Sequence, residues 1–392
     1  MSDWTPDTCA VVGIGTTTYS KRSGVSPTAL AAEAALAAIA DAGLDPADID
    51  GFVRSDYDEA SAVALADALG VDDISFWGQT GPGGSGPCAM VGQAVGAIMS
   101  GQARTVLVYR ALNGRSGRRL GQGVSVSGGV GGNSSYLELF APYGVTSPGQ
   151  FFAMITRRQM SEGLLTQEAL AEVAQVCRRR ANANPAAQMY DRELTLEDYY
   201  GARMISDPLR LFDFCLETDG AAAIVVTSAE RARDLAQKPA LIRSVAQGTG
   251  VRVGPGQMYP VLMGESLDHL TSRRTASRLY QRAGLSPGDV DVAQIYDCFT
   301  VTVLLQLGDY GLCKHDEVSD YVVSGALDLD GPTPINTAGG QLSEAYIHGM
   351  NHIIEGVRQI RGTSTSQVPG AEVSLVTSAP PPGASALLLV AS

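Results

Sequence analysis

Apolar and polar positions follow two periods along this chain, and one series of elements is spelled out twice. The first series opens with Ala10-Val-Val-Gly-Ile14, a β-branched apolar run that reads as a strand. An alanine-rich stretch over 27–42 follows. Pro27 and Gly43 bound it, the residue types favoured just inside the start and just past the end of a helix. A short strand at Phe52 and a helix over 60–69 come next. Thr80-Gly-Pro-Gly-Gly-Ser-Gly-Pro87 then demands a sharp turn, and residues 89–99 carry no charge, which predicts a helix buried on every side. Gly101 stops that helix, and Thr105-Val-Leu-Val-Tyr109 reads as the next strand.

The second series keeps this order: a strand at 240–245, a helix around 267–282, and a strand ending at Tyr296. A glycine-rich turn, Asn336-Thr-Ala-Gly-Gly340, leads into a helix over 344–361, a strand at 372–377 and a last strand. Two echoes tie the series together. Ala42-Gly-Leu-Asp-Pro-Ala-Asp-Ile-Asp50 returns as Ala283-Gly-Leu-Ser-Pro-Gly-Asp-Val-Asp291, and Gly220-Ala-Ala-Ala-Ile-Val-Val226 as Gly383-Ala-Ser-Ala-Leu-Leu-Leu389. The copies lie too far apart for a solenoid, so the pattern predicts a duplicated α/β core. The first half takes residues 1–111 and 208–237, and the second takes 238–392.

Residues 112–207 interrupt the repeat. Residues 114–132 are rich in Gly, Ser and Arg, and helices are expected around 150–162 and 167–183. Arg157, Arg158 and the run Arg178, Arg179 and Arg180 concentrate positive charge there. Such a run is either a solvated helix face or a phosphate-binding lid.

Composition narrows the function classes. The 392 residues are 45% hydrophobic and 18% charged, with a net charge of −13, which argues against a nucleic-acid surface and an anionic membrane. No basic segment precedes an apolar stretch near Met1, and no apolar run is long enough to span a bilayer, so a cytoplasmic location is expected. Cys9, Cys88, Cys177, Cys215, Cys298 and Cys313 form no C-x-x-C pair and read as reduced thiols. His348 and His352 have the spacing of a helical metal pair but lack a third ligand. Gly13-Ile-Gly15 lacks the third glycine of a dinucleotide site. No metal or other cofactor is expected.

The paired halves, the glycine-rich turn entering a buried helix in each, and Thr218-Asp-Gly-Ala-Ala-Ala223 together resemble the thiolase superfamily over nearly the whole chain. The likeness is greatest to its sterol-carrier/lipid-transfer-protein branch. The resemblance implies a five-layered αβαβα core, a homodimer built on the first half, and an acyl-CoA ligand. It also locates departures. Thiolases carry a nucleophilic cysteine where the first glycine-rich turn meets its helix. Counting back from Ala97-Ile-Met-Ser-Gly101 puts Gly84 or Ser85 there, whereas a direct match on Cys88 leaves the helix short. The family's Gly-His-Pro histidine falls on Tyr346, with His348 two residues on. Its Asn-Glu-Ala-Phe motif reads Tyr296-Asp-Cys-Phe299, and Val376-Thr-Ser-Ala-Pro-Pro-Pro-Gly383 lacks the second catalytic cysteine.

A thiolate needs a partner that lowers its pKa and an acid for the leaving group, and Cys88 has neither by this alignment. The expectation is therefore phenolic proton transfer. Tyr346 and Tyr296 form a base/acid pair, oriented by His348 and Asp297, that cleaves a β-hydroxyacyl-CoA by retro-aldol reaction. Backbone N–H groups near Gly84, Gly340 and Gly383 would hold the enolate oxygen. A phenol acting as base at neutral pH needs a fall of about 3 units from about 10, helped by His348 or by the N-terminus of the helix at Glu344. The resemblance to steroid side-chain aldolases implies a ketone and propionyl-CoA as products. It also implies a separate OB-fold partner that completes a heterotetramer. A thiolase using Cys88 and a non-catalytic acyl-CoA-binding scaffold stay open as alternatives.

Overall fold

The computed structural model describes residues 4–81, 83–117, 141–249, 272–379 and 383–392. Residues 118–132 of the Gly/Ser/Arg-rich stretch, the start of the helix expected around 267, and Pro380–Pro382 lie outside them.

The first half runs β1 (Cys9–Thr16), α1 (Pro27–Ala42), β2 (Gly51–Ser55), α2 (Ala62–Leu69), β3 (Phe76–Thr80), α3 (Pro87–Met99) and β4 (Thr105–Asn113). Ser26 starts α1 by accepting a hydrogen bond from the Ala29 N–H, and Gly43 ends it in the left-handed conformation, as its flanking residues predict. The interruption supplies α4 (Pro148–Ser161), α5 (Gln167–Asn182), α6 (Leu196–Gly201), β5 (Met204–Ser206) and β6 (Leu209–Arg210). β7 (Asp219–Ser228) closes the half, and α7 (Ala229–Ala232) leads away from it. The second half runs β8 (Ala240–Thr249), α8 (Ser272–Ala283), β9 (Val292–Gln294), α9 (Thr300–Asp309), α10 (Val318–Val323), α11 (Met350–Arg361), β10 (Val373–Ser378) and β11 (Gly383–Val390).

The large strands form one sheet in the order β3-β2-β4-β7-β1-β8-β11-β10-β9. Its seam is narrow: β1 and β8 pair only at Ala10–Leu241 and Val11–Ala240. Outward from the seam the halves match, β1-β7-β4-β2-β3 against β8-β11-β10-β9. A lone parallel bridge from Ala293 to Ile335 stands where the second half would have a fifth strand. The echoed Asp explains why the echo exists. Asp50 accepts from the Arg104 and Thr105 N–H groups and holds the start of β4 beside β2, while Asp291 accepts from the Glu372 and Val373 N–H groups and holds β10 beside β9.

Strand alternation sorts the core into layers. In β1, β4 and β7 one face (Ala10, Leu107, Val225) packs on α1 and α2, and the other (Val11, Val108, Ile224) packs on α3 and α11. In β11, Leu387 and Leu389 also face α3 and α11, while Ala386 and Leu388 face the layer of α5, α8 and α9. The result is the expected αβαβα arrangement with α3 and α11 in the middle. Among the described residues no helix is long and apolar enough to cross a membrane.

Three local readings are corrected. The strand expected at 105–109 continues to Asn113 and carries Arg110 into the interior. The helices α6, α7, α9 and α10 and the strand β3 were not expected. The helix expected over 344–361 is broken: Gly340–Glu344 makes a wide π-turn, Ala345 is extended, His348 and Gly349 are left-handed, and α11 starts only at Met350.

If the echoed carboxylates are strand staples, Asp50→Ala and Asp291→Ala should each lower unfolding free energy in urea by about 2 kcal/mol, the scale of charge-assisted backbone hydrogen bonds. Unchanged midpoints would leave the repeat without this physical cause.

Candidate active site

Two segments of the second half bring the tyrosines together. Tyr296 follows β9 and is fully buried. Its N–H donates to the Thr377 hydroxyl (2.9 Å), and its carbonyl accepts from Gln306 Nε2 (2.8 Å) and Thr302 Oγ1 (3.1 Å). Asn336 clamps both backbone groups of the preceding Ile295, at 2.7 and 3.0 Å. Tyr346 stands on the loop between the π-turn and α11, and its N–H donates to Thr218 Oγ1 at 2.9 Å. The two phenol oxygens lie 3.4 Å apart.

Gly84 makes room for this pair. A Cβ at that position would lie 1.9 Å from the Tyr296 hydroxyl oxygen and 2.8 Å from the Ala379 carbonyl, so any side chain there would displace the phenol. The tyrosine hydroxyl therefore occupies the space of the side chain that Gly84 lacks.

Cys88 sits elsewhere, in the first turn of α3, fully buried in the middle layer. Its Sγ accepts from the Ser378 hydroxyl at 3.2 Å and donates to the Val376 carbonyl at 3.5 Å. Burial pushes its thiol up to about 12, only partly offset by the Ser378 hydrogen bond. No base faces it among its hydrogen-bond partners.

His348 packs edge-on against Tyr346, ring centroids 4.7 Å apart, and lies 6.2 Å from the ring of Tyr57. It is buried with no partner for Nδ1, and burial, then the nearby Arg110 guanidinium, hold its pKa well below the ordinary histidine value. It is neutral at pH 7. His352 instead bonds Asp297 Oδ1 through Nε2 at 2.8 Å, so the two histidines serve different partners. Among the described residues no metal-holding cluster of His, Cys, Asp or Glu occurs.

Asp297 acts one step from the phenols. Its carboxylate accepts from the Gln341 N–H (2.9 Å) and Leu342 N–H (3.1 Å), so it shapes the π-turn rather than touching either hydroxyl. Gly340 abuts this carboxylate: a Cβ there would meet Asp297 Oδ2 at 2.2 Å. Its surroundings are Asp297 and Asn336, not the hydroxyl pair. Gly383 begins β11 against Ser85, whose hydroxyl a Cβ at 383 would approach to 3.2 Å.

The arginine run is bound within the chain. Arg178 is buried and donates to Ser343 Oγ (3.0 Å) and the Arg192 carbonyl (3.1 Å), beneath a cation–π contact with Phe212. Arg179 pairs with Glu172 and Asp328, and Arg180 faces Asp328. The charge of these three is met by acids and carbonyls of the fold, and the Arg179 side chain stays 43% exposed.

The pKa shift sketched for a tyrosine base is also absent. Burial pushes both phenols well above their ordinary value, and the broken helix removes the N-terminus expected beside Tyr346. Arg110 works against burial at Tyr346. This arginine is a residue that sequence reasoning missed; a lone arginine in an apolar strand was the available signal.

Comparison with known proteins identifies the family. Residues 261–391 match the model of the Thiolase C-terminal domain-like family. The chain is 45% identical over 376 residues to the 17-hydroxy-3-oxo-4-pregnene-20-carboxyl-CoA lyase of Mycobacterium tuberculosis, covering 94% of this chain and 95% of the relative. It is 43% identical over 375 residues to the steroid side-chain-cleaving aldolase of Thermomonospora curvata, covering 95% of each. The chain belongs to the thiolase superfamily, among the steroid side-chain-cleaving aldolases. A solved Ltp2-ChsH2(DUF35) aldolase matches with a TM-score of 0.93 at 42% identity, over 98% of both chains.

Beneath Tyr346, Glu344 is buried with Asn351 Nδ2 at 2.9 Å and Arg358 at 4.0 Å, and burial raises its pKa from 4.5 to about 8. A carboxyl raised in this way takes up a proton on folding, so its contribution is full below pH 4.5 and is lost as pH climbs to about 8. Relative to Glu344→Gln, the wild-type melting temperature should therefore fall by about 2 °C or more across that window. A difference independent of pH would show that Glu344 is ionised throughout.

Proposed function

We propose that this protein is a carbon–carbon lyase that cleaves a steroid β-hydroxyacyl-CoA by retro-aldol reaction, using Tyr296 and Tyr346 as a neutral proton relay. The observation that carries this reading is the 3.4 Å hydroxyl pair set into the space left by Gly84. The relatives' names supply the substrate class: one is a lyase on a steroid carboxyl-CoA and the other a side-chain-cleaving aldolase.

The relay suits phenols that burial keeps protonated. The substrate's β-hydroxyl gives its proton to Tyr346, which is the half-buried member and the one eased by Arg110. Tyr346 passes its own proton to Tyr296, and Tyr296 returns one to Cα. The Cα–Cβ bond breaks as the β-oxygen becomes a ketone, and its electron pair takes the Tyr296 proton at Cα in the same concerted step, so the thioester oxygen carries enolate-like charge only in the transition state. The products are a ketone and a shorter acyl-CoA such as propionyl-CoA. Both tyrosines end as they began, and the proton and electron balance closes within the substrate and the two phenols. N–H groups of the turn around Gly84, and that of Gly383, are assigned to the enolate oxygen. Neutral His348 orients Tyr346 by its edge-on packing.

The assembly follows the same reading. We assign a homodimer through the first half, because β3 is the outermost strand of the sheet and its Trp77 is 70% exposed. The structural relative carries a DUF35 component in its name, which supports a separate OB-fold partner for this chain too, giving a heterotetramer.

The test is to incubate the protein, with and without a co-expressed OB-fold partner, with a steroid β-hydroxyacyl-CoA and to measure propionyl-CoA. Tyr346→Phe and Tyr296→Phe should each lose at least about 100-fold in kcat, the scale of a lost acid/base group. Because both pKa values lie above the ordinary phenol value of about 10, the relay stays protonated and kcat should be flat from about pH 6 to 9. A tenfold rise per pH unit in that range would show a phenolate base instead. Iodoacetamide should leave the rate intact; stoichiometric inactivation at Cys88 would favour the thiolase alternative.

A further inference from the structure

Tyr57 comes from the first half, far from the phenol pair in sequence, yet its ring lies 6.2 Å from His348, which in turn lies 4.7 Å from Tyr346. The rings of Tyr57, His348 and Tyr346 thus make a row from the surface to the relay. Tyr57 forms its outer end and is 44% exposed.

An exposed aromatic on a loop is ordinarily mobile, but this loop is held from below by unusual means. Arg110, 1% exposed, donates from Nη1 to Ser55 Oγ at 2.8 Å and lies 3.3 Å from Asp58 Oδ1. Asp58 is itself buried and accepts from the Ser55 N–H (2.8 Å) and Ala111 N–H (3.0 Å), locking the loop onto β4. Arg54 Nη1 spans the loop, donating to the Ser55 and Asp58 carbonyls at 3.0 and 2.7 Å. On the other side Asp56 accepts from the Gly83 N–H at 3.2 Å, which ties the loop to the turn that carries Gly84. The Tyr57 N–H completes the set on Ser55 Oγ. A buried ion pair is a costly way to fix a loop whose tip faces solvent. Fixing that tip becomes useful if the ring must meet a ligand without losing conformational freedom on binding.

We propose that Tyr57 is a specificity-determining residue that packs against the flat, fused-ring apolar part of the acyl group as it enters the cleft, and that the Arg110–Asp58 pair is its rigid mount. The inference rests on the lyase reading above and names what that reading leaves open, the residue that selects a polycyclic acyl group over a small one. A flat aromatic face could equally meet the adenine of coenzyme A, and the test separates the two.

The measurements are KM and kcat for the steroid β-hydroxyacyl-CoA, and the inhibition constant of propionyl-CoA, which shares the coenzyme but lacks the rings. Tyr57→Ala should raise KM about tenfold, the scale of one aromatic packing contact. It should leave kcat and the propionyl-CoA constant within about threefold, with Tyr57→Phe restoring KM. Because the ring is exposed at the loop tip, the melting temperature serves as the control for folding. An unchanged KM, or an equal rise in KM and in the propionyl-CoA constant, overturns the inference while leaving the lyase reading intact. No turnover by the wild-type protein with its partner overturns both.

Discussion

The chemistry of this cleft depends on a close approach between Gly84 and the Tyr296 hydroxyl, which no residue with a side chain could allow. The phenol lies where a nucleophile on the glycine-rich turn would project, 1.9 Å from the Cβ that Gly84 does not have. Everything nearby serves to hold it there. Asn336 pins the backbone before Tyr296, Thr377 and Gln306 pin the residue itself, and Asp297, next in sequence, shapes the π-turn that delivers Tyr346. In the proposed mechanism, the side chain missing at position 84 and the two phenols opposite it replace sulfur attack by proton transfer.

Burial then decides which form of proton transfer is available. A single buried tyrosine acting as a base would have to ionise where charge is poorly solvated, and the low-dielectric surroundings push both phenols the wrong way for that. Two phenols within reach of one another avoid the charge, because a proton can enter at one oxygen while another leaves from its neighbour. The same burial that rules out an easy phenolate keeps His348 neutral and Cys88 protonated. The cleft is consistent in this respect: both phenols, the His348 ring and the Cys88 thiol are held uncharged at neutral pH.

Much of the fold was legible in the sequence because the repeat has a local cause. Asp50 and Asp291 each staple two parallel strands through backbone N–H groups, so the signature around them persists while the rest of each half diverges. The tyrosines were legible because they fall where two family motifs are altered. The break before α11 was not, since Glu344 to Arg361 reads as an unbroken helix, while in the fold Ala345 is extended and His348 and Gly349 are left-handed. Nor was the fate of the arginine run: whether Arg179 meets a phosphate or Asp328 depends on a loop about which periodicity says nothing. Arg110 and Tyr57 were missed for the same reason, as their importance comes from elements that only the folded chain brings together.

The central claim is that the Tyr296 hydroxyl works from the space of an absent side chain. The most direct measurement is the rate of steroid β-hydroxyacyl-CoA cleavage by Gly84→Ala, with a melting curve to confirm that the variant folds. Displacing the phenol by one methyl group should lower kcat by at least about 100-fold in a folded protein, matching the loss of an acid/base group. A folded Gly84→Ala enzyme that cleaves at the wild-type rate would contradict the account.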